Sequence, residues 1–180
     1  MPLAGALTQD GSGRSVGVQA LLRRTSADGL SGWISYTLSR AERVDAAGGP
    51  TRLFDYDQTH ALTAVASRDV GPVTIGAKVR YATGFPRTPV VGAFYESRGD
   101  RFQPLFGEHN SVRIPALFQL DLRVEYATET PIGALSLSLD VQNVTAHDNV
   151  EAIAYSYDFT ARRDMPGLPT LAVVGARLDF

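Results

Sequence analysis

The sequence predicts an all-β fold, an antiparallel up-and-down sheet of about seven strands with the pattern of a transmembrane β-barrel segment that is incomplete and open. Three observations carry that expectation. Apolar and polar residues alternate one by one in run after run, the connections alternate between short and long, and the charges of the best runs all fall on one face.

Taken in order, the first runs are the weaker ones: Val16, Val18, Ala20 and Leu22, then Ile34, Tyr36 and Leu38, then Leu62, Ala64 and Ala66. Val73, Ile75, Ala77, Val79 and Tyr81 form a clearer face opposite Thr74, Lys78 and Arg80. The clearest run is Phe118 to Tyr126, where Phe118, Leu120, Leu122, Val124 and Tyr126 oppose Gln119, Asp121, Arg123 and Glu125. Successive side chains of a strand point to opposite faces, so this spacing makes one apolar face, whereas a helix would scatter it. Leu135, Leu137, Leu139 and Val141 repeat the pattern against Ser136, Ser138, Asp140 and Gln142. The last run sets Ala172, Val174, Ala176, Leu178 and Phe180 against Arg177 and Asp179.

Short turn-forming stretches stand at Ser26-Ala27-Asp28-Gly29, Asp69-Val70-Gly71-Pro72 and Thr130-Pro131-Ile132-Gly133. Between them fall long polar segments at about 42–57, 84–115 and 146–168. Short connections at one end and long ones at the other match the periplasmic turns and extracellular loops of outer-membrane barrels. Aromatic residues near strand ends, Tyr81, Phe118, Tyr126 and Phe180, fit the girdles of such a wall. A soluble sandwich or small barrel holding an apolar ligand also alternates, and stands as the alternative.

Seven is an odd number, and bacterial single-chain barrels have even ones, so the expectation is an unclosed portion of a larger barrel. Residues 1–14 read as a leader or extracellular-loop remnant. They lack the alternation, and they carry neither the basic start nor the apolar stretch of a secretion signal.

Composition narrows the function classes. A net charge of −2 offers no basic field for nucleic acid. The absence of cysteine removes disulfides and thiolate metal sites. His60, His109 and His147 have no ligand spacing, so no metal and no cofactor is expected. A Ser-His-Asp set could be assembled from almost any sequence of this size, and no catalysis is expected.

Several stretches read together resemble the C-terminal barrel segment of a TonB-dependent outer-membrane receptor. They are Phe54-Asp55-Tyr56-Asp57-Gln58-Thr59-His60, Tyr81-Ala82-Thr83-Gly84-Phe85-Pro86-Arg87-Thr88-Pro89, and Arg113-Ile114-Pro115 before Gln119-Leu120-Asp121-Leu122-Arg123. Asp140-Val141-Gln142-Asn143-Val144-Thr145 before Asn149, Gly167-Leu168-Pro169, and Gly175-Ala176-Arg177-Leu178-Asp179-Phe180 complete the set. The resemblance spans 15–180. It implies energised uptake of a scarce nutrient such as a ferric siderophore, cobalamin or a carbohydrate. It also implies a location in the bacterial outer membrane when exported within a complete receptor. The partners it implies are outer-membrane lipid, an N-terminal plug domain and further barrel strands that are not visible in this sequence, the TonB complex acting through that plug, and the barrel-assembly machinery. The terminal run ending in Phe180 resembles the signal that this machinery reads. An outer-membrane enzyme or adhesin is a third reading.

Lys78, Arg80, Asp121, Arg123, Glu125 and Asp140 are expected to face the lumen. There they line the path or hold the plug, or else form a solvated ladder of opposite charges. The segment with Phe85, Phe94, Tyr95, Phe102 and Phe106 mixes rings with Arg87, Arg98 and Arg101. Arg87, Phe94, Tyr95, Arg98, Arg101 and Phe102 are the candidate extracellular ligand contacts, since rings supply area and Arg grips carboxylates. The other reading is that the rings pack the loop onto the rim. Asn149 to Phe159, with Tyr155 and Tyr157, carries the same two readings.

Overall fold

A computed structural model describes residues 10–25 and 29–180. The described chain is antiparallel β-structure with no helix. Its fourteen strands are β1 Ser12–Arg24, β2 Leu30–Val44, β3 Thr51–Leu53, β4 His60–Val70, β5 Val73–Ala82, β6 Pro86–Arg87, β7 Val90–Glu96, β8 Arg101–Phe106, β9 Val112–Arg113, β10 Leu117–Thr130, β11 Gly133–Gln142, β12 Val150–Tyr155, β13 Arg162–Pro166 and β14 Leu171–Asp179. One sheet runs β1-β2-β4-β5-β10-β11-β14, with β3 added beside the end of β2. Its seven long strands are those expected from the alternation. The shorter strands make three separate ribbons, β6 with β9, β7 with β8, and β12 with β13, inside the long polar segments 84–115 and 146–168, where alternation predicts loops.

Every consecutive pair along the sheet is antiparallel, and β1 and β14 each pair on one side only, so the sheet is open among the described residues. β1 starts at Ser12, ahead of the alternation. The turn expected at Ser26 to Gly29 lies, apart from Gly29, outside the described residues, as do residues 1–9 of the expected 1–14 segment.

The other short connections form as expected. Gly71 and Pro72 alone join Val70 to its partner Val73. Gly71 has φ of 60° and the Pro72 ring holds φ near −65°, the order of signs a tight hairpin favours. Pro131 and Ile132 join Thr130 to Gly133. Gly133 has φ of 139°, and a Cβ there would lie 2.2 Å from the Asp179 carbonyl, so only glycine fits.

The register lays the apolar residues in rows across the sheet. Leu22, Ile34, Ala64, Val79 and Leu120 form one row, and Ala20, Tyr36, Leu62, Tyr81 and Phe118 the next toward the long loops. From Phe118 to Tyr126 the apolar stripe is ~27 Å long at the usual rise per residue.

Among the described residues nothing packs on that face. The six buried residues of the described chain are Asp57, Gly84, Pro86, Asn110, Ile114 and Asn143, all of them in the loops or short ribbons. The accessible surface is 12974 Å². A globular chain of this mass exposes roughly 8,500 Å². Among the described residues the sheet therefore has no apolar core, and its Leu, Val and Ile side chains are exposed or half-buried.

Candidate functional site

Three features could carry function: the charged face of the sheet, the buried polar cluster at its long-loop end, and the aromatic ribbons above. All six residues expected to face a lumen share one face. Asp121 lies opposite Lys78, Arg123 opposite Asp140, and Glu125 beside them opposite Thr74 and Ser138. The Lys78 ammonium is 3.3 Å from Asp121. Arg123 donates to Glu125 at 2.7 Å and to Asp140 at 3.0 Å. Arg80 donates to Gln119 at 2.5 Å, Gln119 to Asp121 at 2.6 Å, and the buried Nε of Arg80 has no partner. Gly76, opposite Ser67 and Arg123, leaves this ladder over a shallow cavity of about 400 Å³ lined by Lys78, Asp121, Arg123 and Asp140.

At the long-loop end the stretches behind the family resemblance meet in space. Asp57 is 1% exposed. Its carboxylate accepts from the Ala41 N–H at 2.6 Å, from the Thr59 hydroxyl at 3.2 Å and from the Arg113 guanidinium, which also donates to the Asp57 carbonyl at 2.8 Å and the Gly84 carbonyl at 2.9 Å. Burial is the largest single influence on Asp57 and opposes its charge. The Arg113, Ala41 and Thr59 donors together outweigh it and hold the carboxyl below the usual carboxylate range. A Cβ on Gly84 would lie 1.8 Å from the Ile114 carbonyl, so the two passing backbones require glycine.

Asn110 extends this latch, donating to the Leu53 carbonyl at 2.8 Å and to Asp55 at 2.6 Å. Arg52 then bridges Asp55 and Asp45. The Asn110 amide lowers the Asp55 pKa, against burial and aided by Arg52.

A second latch ties β10 to the β11–β14 connection. Asn143 is 2% exposed in the left-handed region at φ of 49°, a conformation asparagine tolerates well. Its N–H donates to Asp121 at 2.9 Å and its amide to the His147 carbonyl at 3.0 Å, while its carbonyl accepts from the Thr170 hydroxyl at 2.7 Å. Asn149 accepts from the Phe118 N–H at 2.8 Å. Asp57, Arg113, Asn110 and Asn143 had no role assigned from sequence, although Asp57, Arg113 and Asn143 sit inside the quoted stretches. Their signal is a polar residue where a strand opens into a loop.

The ribbons bring some of the expected ligand contacts together. Tyr95 and Phe102 meet edge to face at 5.3 Å, Phe102 meets Tyr157 at 5.6 Å, and the Tyr157 hydroxyl donates to the Asp100 carbonyl at 2.9 Å. The β7–β8 ribbon thus leans on the segment between β12 and β13. Arg101 pairs with Glu96 at 3.0 Å. Phe94 is exposed, Arg98 sits in the turn after β7, and Arg87 lies opposite Val112 on the β6–β9 ribbon, so these three stand outside the ring cluster. The histidines are also dispersed: His60 on the Tyr36 hydroxyl, His109 beside Asp55 and His147 against Phe118.

These parts define a single-layered antiparallel sheet with one bare apolar face, one charged face and polar-latched loops. Comparison with protein-family models, with curated proteins and with solved structures finds no match.

Proposed function

We propose that this sheet is part of the wall of a β-barrel in a bacterial outer membrane, with its apolar face against lipid and its charged face toward the lumen. The observation that carries the reading is the missing core. An exposed apolar face this large marks contact with a nonaqueous surface. The stripe supports it: ~27 Å of strand tilted by 35–45° covers roughly 20 Å, close to the ~25 Å apolar band of such barrels. The row Tyr36, Leu62, Tyr81 and Phe118 supplies aromatic residues toward one rim, and Tyr126 stands toward the other.

With the sequence resemblance, the reading extends to the C-terminal barrel portion of a TonB-dependent receptor that takes up a ferric siderophore, cobalamin or a carbohydrate. In it the Lys78 to Asp140 ladder meets the path or the plug, and the ribbons with Phe94, Tyr95, Phe102 and Tyr157 meet the ligand. The open edges of β1 and β14 fit a sheet continued by further strands. Partners on this reading are the plug, the TonB complex acting through it and the barrel-assembly machinery, which would read the final strand and Phe180.

The chain has no cysteine, so single substitutions report one position each. Leu137→Cys, Ser138→Cys and Leu139→Cys are introduced one at a time and probed in outer-membrane vesicles. The Leu137→Cys and Leu139→Cys variants are expected to resist a water-soluble maleimide while Ser138→Cys reacts. Equal reactivity at all three, with the chain recovered in the soluble fraction, overturns the reading in favour of a soluble sheet protein binding an apolar ligand.

A further inference from the structure

On the charged face, one guanidinium is only half engaged. Lys78 is paired with Asp121, and Arg123 with Glu125 and Asp140. Arg80 lies opposite Thr63 on β4 and Gln119 on β10, and Thr63 lies opposite Ser35 on β2. Its row across these four strands therefore holds no carboxylate. Asp121, the next acid on that face of β10, is already met by Lys78 at 3.3 Å, the Gln119 amide at 2.6 Å and the Asn143 N–H at 2.9 Å.

What Arg80 lacks has a definite shape. The Nε–H and one Nη2–H of an arginine point the same way and form one edge of its planar fork. The Gln119 carbonyl fills the Nη2 prong at 2.5 Å. Beside it the Arg80 Nε is buried with no partner, the one such side-chain nitrogen or oxygen among the described residues. A buried donor left unmet costs its full desolvation, so a group that meets it gains accordingly. A carboxylate is planar like the Gln119 amide and carries a second oxygen where the amide carries its nitrogen, so it satisfies both prongs where the amide satisfies one. Toward β4 the same face shows Arg80 only Ala61, Thr63 and Val65, so an arriving anion meets no acid on that side.

We infer that Arg80 is a docking point for the carboxylate of a solute inside the lumen, the carboxylate taking the place of the Gln119 carbonyl on Nη2 and accepting from Nε as well. The inference rests on the barrel-wall reading above, and it favours carboxylate-bearing solutes among those named there. It also sets Arg80 apart from the rest of the ladder, whose cations already have their anions.

The test titrates the full chain, isotopically labelled at arginine nitrogen, with succinate or with its neutral diamide, succinamide, in detergent micelles at fixed ionic strength. Loss of one signal in Arg80→Lys identifies the Arg80 Nε–H resonance. Succinate should shift that resonance and slow its exchange with water, and succinamide should leave it in place. Gln119→Glu, which sets a carboxylate on the fork from within the chain, should shift the resonance without ligand and abolish the response to succinate. By calorimetry Arg80→Lys, which keeps the charge and loses the fork, should bind succinate about ten-fold more weakly, the loss of one charge-assisted hydrogen bond. An unmoved Arg80 resonance, an equal response to both compounds, a succinate response that persists in Gln119→Glu, or undiminished binding in Arg80→Lys overturns the docking point. Trp33, the single tryptophan, keeps this outcome separate from the wall reading, because it lies on the same face, opposite Val65. In bilayers its fluorescence should be quenched by aqueous acrylamide and spared by brominated lipid. With that pattern, a failed succinate titration counts against the docking point alone, whereas quenching of Trp33 by the lipid overturns the wall reading together with it.

Discussion

The two ends of the sheet are joined by different physics. At the short-turn end, two residues suffice, and what they contribute is backbone conformation: Gly71 before Pro72, and Pro131-Ile132 delivering the chain to Gly133. At the long-loop end, strands are held by buried polar side chains, Asp57 with Arg113 and Asn143 with Asp121, and the apolar side chains buried there are Ile114 and Pro86. A sheet with no core fixes its ends by constraints that need none.

The contrast can be broken in order of size. Arg113→Met leaves a buried carboxylate without its cation and should cost about 3–5 kcal/mol, read from the denaturant midpoint and from protease nicking within 84–115. Restoring neutrality with Asp57→Asn in the same chain should recover part of it. Gly133→Ala should cost at least about 1–3 kcal/mol, through backbone strain and the clash of the new Cβ with the Asp179 carbonyl, with no change in salt dependence. Asn143→Ala removes buried amide hydrogen bonds and should cost a similar ~1–3 kcal/mol, with faster amide exchange in 146–168. If Gly133→Ala is harmless while Asn143→Ala is severe, the short turns matter less than the contrast holds.

Acid separates the ends further. The Asp57 carboxyl has a lower pKa in the folded chain than the ~3.9 of an unfolded aspartate. The latch is therefore at full strength above that unfolded value, and its contribution is lost as pH falls through the lower folded one. Unfolding followed from pH 5 down to about 2 should show this slope in the parent chain and a smaller slope in Asp57→Asn. The smallest effect belongs to the charged face. Asp140→Asn removes an exposed pair with Arg123 and should cost about 0.2–1 kcal/mol, less in high salt. A cost rivalling that of Arg113→Met would mean that this face is far drier than its exposure indicates.

Alternation made the seven long strands legible because a period of two needs only local information. The same period of two puts Lys78, Arg80, Asp121, Arg123, Glu125 and Asp140 on one face of the sheet. The ribbons escaped it, since β6 and β9 are two residues each and their pairing depends on Gly84 passing the Ile114 backbone. The Asp57–Arg113 latch joins positions 56 apart in sequence and has no periodic signature. Its members were visible only as parts of familiar stretches, and what they do there is hold loops to strand ends.

The outer edge of β1 is thirteen residues long, against nine for β14. Along such an edge, alternate residues turn both amide and carbonyl outward, and in hydrocarbon each unmet group costs several kcal/mol. An edge of that kind acts as a ruler. In the proposed barrel wall a neighbouring strand one pair short would meet that cost at once, so β1 would measure the length and register of a strand beside it without using a single side chain.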